Sequence, residues 1–64
     1  MTPNQERWAE ALSVEEIHGD TAPAFIAERI GALALQGDEA GVERWRQIAA
    51  RLDQLRNPVT FLLA

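Results

Sequence analysis

The chain contains no cysteine, no lysine, no tyrosine and only one histidine, His18. Without cysteine there is no disulfide to reinforce a small fold and no thiolate to bind a metal or attack a substrate. Without lysine or tyrosine, nucleophilic chemistry is left to a few hydroxyls: Thr2, Ser13, Thr21 and Thr60. Aromatic residues are limited to Trp8, Phe25, Trp45 and Phe61. No apolar run approaches the roughly 20 residues that a membrane-spanning helix needs. The opening residues Met1-Thr2-Pro3-Asn4-Gln5-Glu6 lack the basic-then-apolar order of a signal peptide. These absences together predict a soluble, cytoplasmic protein with no membrane partner.

What remains is 64 residues, enough for one domain (1–64) with a small core. A chain of this size without disulfides or metal is marginal on its own and is helped by a second subunit. The net charge is −4, and all six basic residues are arginines. Residues 1–43 carry nine acids and two arginines, and residues 44–64 carry four arginines and one acid. Phosphate binding needs positive potential at the contact face, so the acidic whole argues against nucleic acid. The uneven split suits an acidic first helix lying beside a basic last one.

Two Gly-Asp pairs, Gly19-Asp20 and Gly37-Asp38, punctuate the chain. Glycine fits the left-handed position just past a helix, and aspartate can accept from the free N–H groups of the next helix. Each pair is read as a stop followed by a start. The expected fold is all-α, a three-helix up-down-up bundle with helices at about 3–18, 21–36 and 39–56 and an apolar C-terminal tail at 57–64. Thr2, Pro3 and Gln5 form a capping-box pattern at the first helix. Trp8, Ala11 and Leu12 share a face of that helix, which Val14 and Ile17 extend. Val42, Trp45, Ile48, Ala49, Leu52 and Leu55 make the apolar stripe of the third. With helices 1 and 3 parallel, Trp8 and Trp45 fall at one end of the core, where the small residues Ala27, Gly31 and Ala34 leave room for two indoles.

The second helix is expected at the centre. Between residues 22 and 36 only Glu28, Arg29 and Gln36 are polar. Phe25, Ile26, Ile30 and Leu33 form a bulky side, and Ala24, Ala27, Gly31 and Ala34 a small one. A helix apolar nearly all round is normally buried nearly all round, so something must cover this one. The two covers at hand are the tail, Val59-Thr60-Phe61-Leu62-Leu63-Ala64, and a second copy of the chain. Glu28 and Arg29 are read either as reaching solvent or as an ion pair that sets the register of a helix–helix contact.

The stretch Ala22–Leu35, then Gly37-Asp38, Val42-Glu43-Arg44-Trp45-Arg46 and Leu52-Asp53-Gln54-Leu55, resembles a family of short bacterial proteins of unknown function. The run Gln5-Glu6-Arg7-Trp8-Ala9-Glu10-Ala11-Leu12 and the triplet His18-Gly19-Asp20 are similar to the same family. The resemblance covers nearly the whole chain and implies a compact single domain that stands alone. It implies no activity, cofactor or site residue.

Chemistry finds little foothold. Glu15-x-x-His18 has the spacing of carboxylate-bridged di-metal bundles, but one copy lacks most of a ligand set. His18 directly precedes Gly19, where a histidine can donate to free carbonyls and meets the negative end of the helix dipole. Ser13 has no base placed to activate it, and Glu15 and Glu16 point to different sides of a helix. No catalytic, cofactor-binding or metal residue is assigned, and no small-molecule substrate is evident. Arg44, Arg46, Gln47, Arg51 and Gln54 could form a recognition face for nucleic acid, or a solvated face whose arginines pair with the acids of helix 1. The sequence therefore predicts a small interaction protein that associates with itself as a homodimer or with another protein. Its surface would be Ala24, Glu28, Gly31, Leu35, Phe61 and Leu62, with a nucleic-acid regulator acting through helix 3 as the alternative.

Overall fold

The first helix opens on the box that its sequence encodes. The Thr2 hydroxyl accepts from the Gln5 backbone N–H at 3.2 Å, and the Gln5 side chain accepts from the Thr2 N–H at 2.9 Å. Two donors that a helix start leaves free are thereby satisfied, and Pro3 occupies the first turn, where its missing N–H is not needed. The structure, a computed structural model, describes residues 1–57. It comprises α1 (Pro3–His18), a 3-10 turn (Gly19–Thr21), α2 (Ala22–Leu35) and α3 (Glu39–Arg56), with no strand among the described residues. The tail beyond Asn57, with Phe61 and Leu62, lies outside the described residues.

The two Gly-Asp pairs do different work. Gly37 has φ 74°, and it ends α2 with the Asp38 N–H donating to the Leu33 carbonyl and the Gly37 N–H to that of Ala34. These are the two bonds of a Schellman close. Asp38 then caps α3, its carboxylate accepting from the Gly41 N–H at 2.8 Å. A Cβ on Gly41 would fall 2.5 Å from that carboxylate, so any larger residue there would make the Asp38 side chain shift.

Gly19 is also left-handed, with φ 54°. Asp20, however, caps nothing. It is exposed within the 3-10 turn, and the N-cap of α2 is Thr21, whose side chain makes no capping bond. The Thr21 hydroxyl instead donates to the His18 carbonyl at 2.8 Å. No loop residue separates α1 from the 3-10 turn or the turn from α2. As continuous helical stretches there are two, 3–35 and 39–56, and the expected set of three separated helices is corrected to that extent.

The centre of the fold is α3, not α2. Both α1 and α2 pack far more extensively on α3 than on each other. Ala11 and Val14 of α1, Ala22 and Ile26 of α2, and Ile48 and Leu52 of α3 form the buried cluster, with Ile48 its largest fully enclosed side chain. The physical reason lies in the patterns: α3 carries a compact stripe of large residues, whereas half the apolar circumference of α2 is alanine and glycine and brings little area to a core.

Nor are α1 and α3 parallel. Asn4 meets Arg51, Arg7 meets Gln47 and Glu10 meets Arg44, so numbers rise along one helix as they fall along the other. Glu15 meets Arg56 on the far side, the pattern of crossed helices. Leu12 and Ile17, expected at the core, are 48% and 72% exposed because α3 crosses α1 over Ala11 and Val14 instead.

The unequal Gly-Asp pairs give a direct test by urea denaturation. Asp38→Ala should cost about 1 kcal/mol, the usual worth of an N-cap side chain, whereas Asp20→Ala should change stability by no more than a few tenths. Gly37→Ala should cost about 1–2 kcal/mol, because a Cβ is strained at positive φ.

Candidate interaction surface

Among the described residues, the ion pairs that join different helices both run between α1 and α3. Glu10 accepts from Arg7 in its own helix and from Arg44 across the α1–α3 contact, where the Nε–Oε2 distance is 3.0 Å. The hydrogen bond to Glu10 and its opposite charge raise the Arg44 pKa above its ordinary value. Arg7 Nε also reaches Gln47 at 3.2 Å. Arg56 Nε donates to Glu15 at 2.9 Å, and its Nη2 donates to the Gly19 carbonyl. One guanidinium thus ties the end of α3 to the end of α1 and supplies a donor to a carbonyl at the α1–α2 turn.

The last cation of α3 performs the capping expected of His18. The His18 ring lies stacked on Phe25, with centroids 3.9 Å apart and planes inclined by 17°. Phe25 in turn meets the edge of Trp45, and the Arg29 guanidinium stands 5.9 Å from the centre of the Trp45 ring. Arg29 and Glu28 both reach the surface, and Arg29 lies against an aromatic face.

Trp8 has a separate partner in Arg51, 5.4 Å from its ring centre. Arg51 also donates to Asn4 at 2.8 Å, while its buried Nε has no acceptor among the described residues. The two indoles therefore serve different contacts. Neither depends on the small side of α2, since Ala27, Gly31 and Ala34 are exposed.

Two readings of chemistry can be placed on this geometry. Glu15 and His18 diverge, one to Arg56 and the other to the Phe25 ring. Among the described residues, no three side chains of the histidine, aspartate and glutamate type gather closely enough to hold a metal ion. The arginine face of α3 is mostly engaged as well. Arg44, Arg51 and Arg56 have polar or aromatic partners within the chain, leaving Arg46 without a hydrogen bond or ion pair among the described residues.

Apolar surface is what the fold leaves open. Ala24, Glu28, Gly31 and Leu35, each a turn apart, lie along one exposed side of α2, and Leu35 is 91% exposed. Phe61 and Leu62, the other two residues of the expected surface, fall outside the described residues. Beside this side of α2 lies a groove of about 400 Å³ between α2 and α3. Its walls are Pro23, Ile26, Ala27 and Ile30 on one helix and Ala49 and Leu52 on the other, with Asp53, Arg56 and Asn57 at one end. Sequence reasoning missed this groove. The usable signal was Ala27 and Ala49, two small residues on the facing helices where larger ones would have closed the gap. No helix among the described residues is long and apolar enough to cross a membrane.

The bridging role of Arg56 is open to a thermal melt. Arg56→Met should lower stability by roughly 1 kcal/mol, the upper range for a partly exposed ion pair, and Tm by about 4–8 °C for a chain of this size. Arg46→Met should leave Tm where it is.

Comparison with curated proteins and with solved structures finds no match. The sequence profile of a family of unknown function, DUF6961, matches residues 3–59, which include all three α-helices. That span is most of the chain, and the protein belongs to the DUF6961 family.

Proposed function

We propose that this chain acts as a small non-catalytic interaction module in the cytoplasm, a three-helix unit that pairs with a second copy of itself through the outward side of α2. The observation that carries the reading is the exposed apolar stripe through Ala24, Gly31 and Leu35, flanked by Ala27 and Ala34. Single exposed alanines need no explanation, but a contiguous strip ending in a leucine at 91% exposure is the kind of surface that another apolar surface covers. Small residues let two helix backbones approach closely, and Glu28 with Arg29 offers charges of both signs to fix the register of such a pair. The contact is small, since 14-residue helices bury less than a standard interface, so association is weak and concentration-dependent.

Nucleic-acid binding through α3 has less support, because Arg44, Arg51 and Arg56 already hold partners within the chain. Catalysis has no nucleophile–base pair to support it.

Light scattering on the purified protein tests the pairing. A dimer that builds up toward high micromolar concentration is the expected result, and a clean monomer throughout would overturn the reading. Gly31 is exposed with nothing within 4 Å of where a Cβ would stand. Gly31→Glu should therefore abolish the dimer while leaving the helical circular dichroism unchanged.

A further inference from the structure

We infer that Gly19 and Pro23 form a bend lock that keeps α1 on the α3 of its own chain, and that without it α1 would pass to the α3 of a second copy. The inference starts from what does not make the bend. α1, the 3-10 turn and α2 follow one another with no loop residue between them. α1 and α2 pack on each other much less than either packs on α3. Contact between the two is thus a weak reason for the chain to fold back, and the stronger reason lies in the turn itself.

Two residues supply it. Gly19 has φ 54° and ψ −125°, on the side of backbone space that a residue with a Cβ rarely adopts. Nothing stands within 4 Å of where its Cβ would be, so conformation, not space, calls for glycine. Pro23 lies four residues on, in the first turn of α2. In a helix running straight through, residue 23 would donate to the Gly19 carbonyl, but proline has no N–H and its ring would strike that oxygen. In the bent chain the same carbonyl accepts from the Ala22 N–H and from Arg56 instead. The bend therefore satisfies a group that a straight helix would leave without its donor.

What α1 contributes to the fold does not depend on which copy provides it. Its contact with α3 buries Ala11 and Val14 in one cluster with Ile48 and Leu52, and it pairs Glu10 with Arg44 and Glu15 with Arg56. The α1 of a second molecule can make the same contacts once the chain straightens. A straight 3–35 helix would carry the 16 residues of α1, about 24 Å at 1.5 Å each, away from their own α3. Two such chains would each offer an α1 to the other's exposed α3 face, an exchange of identical elements that closes a dimer. This exchange uses the α1–α3 contact and does not rest on the pairing through α2 proposed above.

Gly19→Ala with Pro23→Ala tests the lock, made together with Gly31→Glu to remove association through α2. The control carries Gly31→Glu alone. Light scattering at low micromolar concentration should give the control at the mass of one chain and the lock variant at twice that mass. Mixed labelled and unlabelled chains then identify the contact. Overhauser transfer between the methyl groups of Ala11 and Ile48 should pass between molecules in the variant and within one molecule in the control. A monomeric variant with unchanged helical circular dichroism would overturn the inference. So would an unfolded variant, because exchange leaves every helix its packing partner, and so would a dimer whose Ala11–Ile48 transfer stays within one molecule. Pairing through α2 is judged on protein with Gly19 and Pro23 intact, so the two proposals fail separately.

Discussion

Burial of Ile48 is the contact on which the rest of the fold depends. Among the described residues it is the one large side chain sealed completely from solvent, and it sits on the helix against which both others pack. α1 and α2 touch each other much less, so their relative placement is set chiefly by what each does to α3. The buried neighbours they bring are modest: Ala11 and Val14 from one side, Ala22 and Ile26 from the other. Two alanines at zero exposure let the helices come close enough for a single isoleucine to touch both. In so small a core, apolar area is scarce, and a truncation at this position would remove contacts that no other residue replaces.

Polar side chains fix the angle that this small core leaves loosely determined. Apolar contact is not directional, but a carboxylate held by two guanidiniums is. Glu10 between Arg7 and Arg44 holds one arm of the α1–α3 crossing, and Arg56 on Glu15 and Gly19 holds the other. The segregation of acids to the first two-thirds of the chain and arginines to the last third is thus expressed as geometry. Of the four arginines on α3, Arg44 and Arg56 meet carboxylates of α1, and Arg51 meets the neutral Asn4 and Trp8.

Local rules were the most legible in the sequence. Thr2-Pro3-x-Gln5, Gly37-Asp38 and the stripe of α3 each encode a structure that needs only neighbouring residues, and each is found where the pattern puts it except at Leu55, which ends the stripe 38% exposed. Asp20 shows where such rules stop. The same dipeptide as at residue 38 makes no cap, because the chain turns through a 3-10 segment stabilised by Thr21 and Arg56, and Arg56 is 37 residues away. Likewise His18 reads as a capping residue until Phe25, a turn into the next helix, is brought under its ring. The choice of α3 over α2 as the centre, and the crossing of α1, depend on how much area each face contributes. Period alone does not report that quantity.

The same distinction changes what the composition of α2 means. A helix apolar on every side appears to demand cover on every side, yet the demand scales with area, not with the number of apolar residues. Ala24, Ala27, Gly31 and Ala34 expose little each, so leaving them in water costs the fold little. The larger residues Ile26 and Leu33 are buried, and Phe25 and Ile30 are half-buried. The uncovered remainder is concentrated at Leu35 and along the groove wall of Pro23, Ala27 and Ile30. These are two different faces. The groove lies between α2 and α3 and has apolar walls. The stripe through Gly31 and Leu35 is open and shallow, and suits another helix. Covering one does not cover the other, so a partner seated on the stripe would leave the groove open.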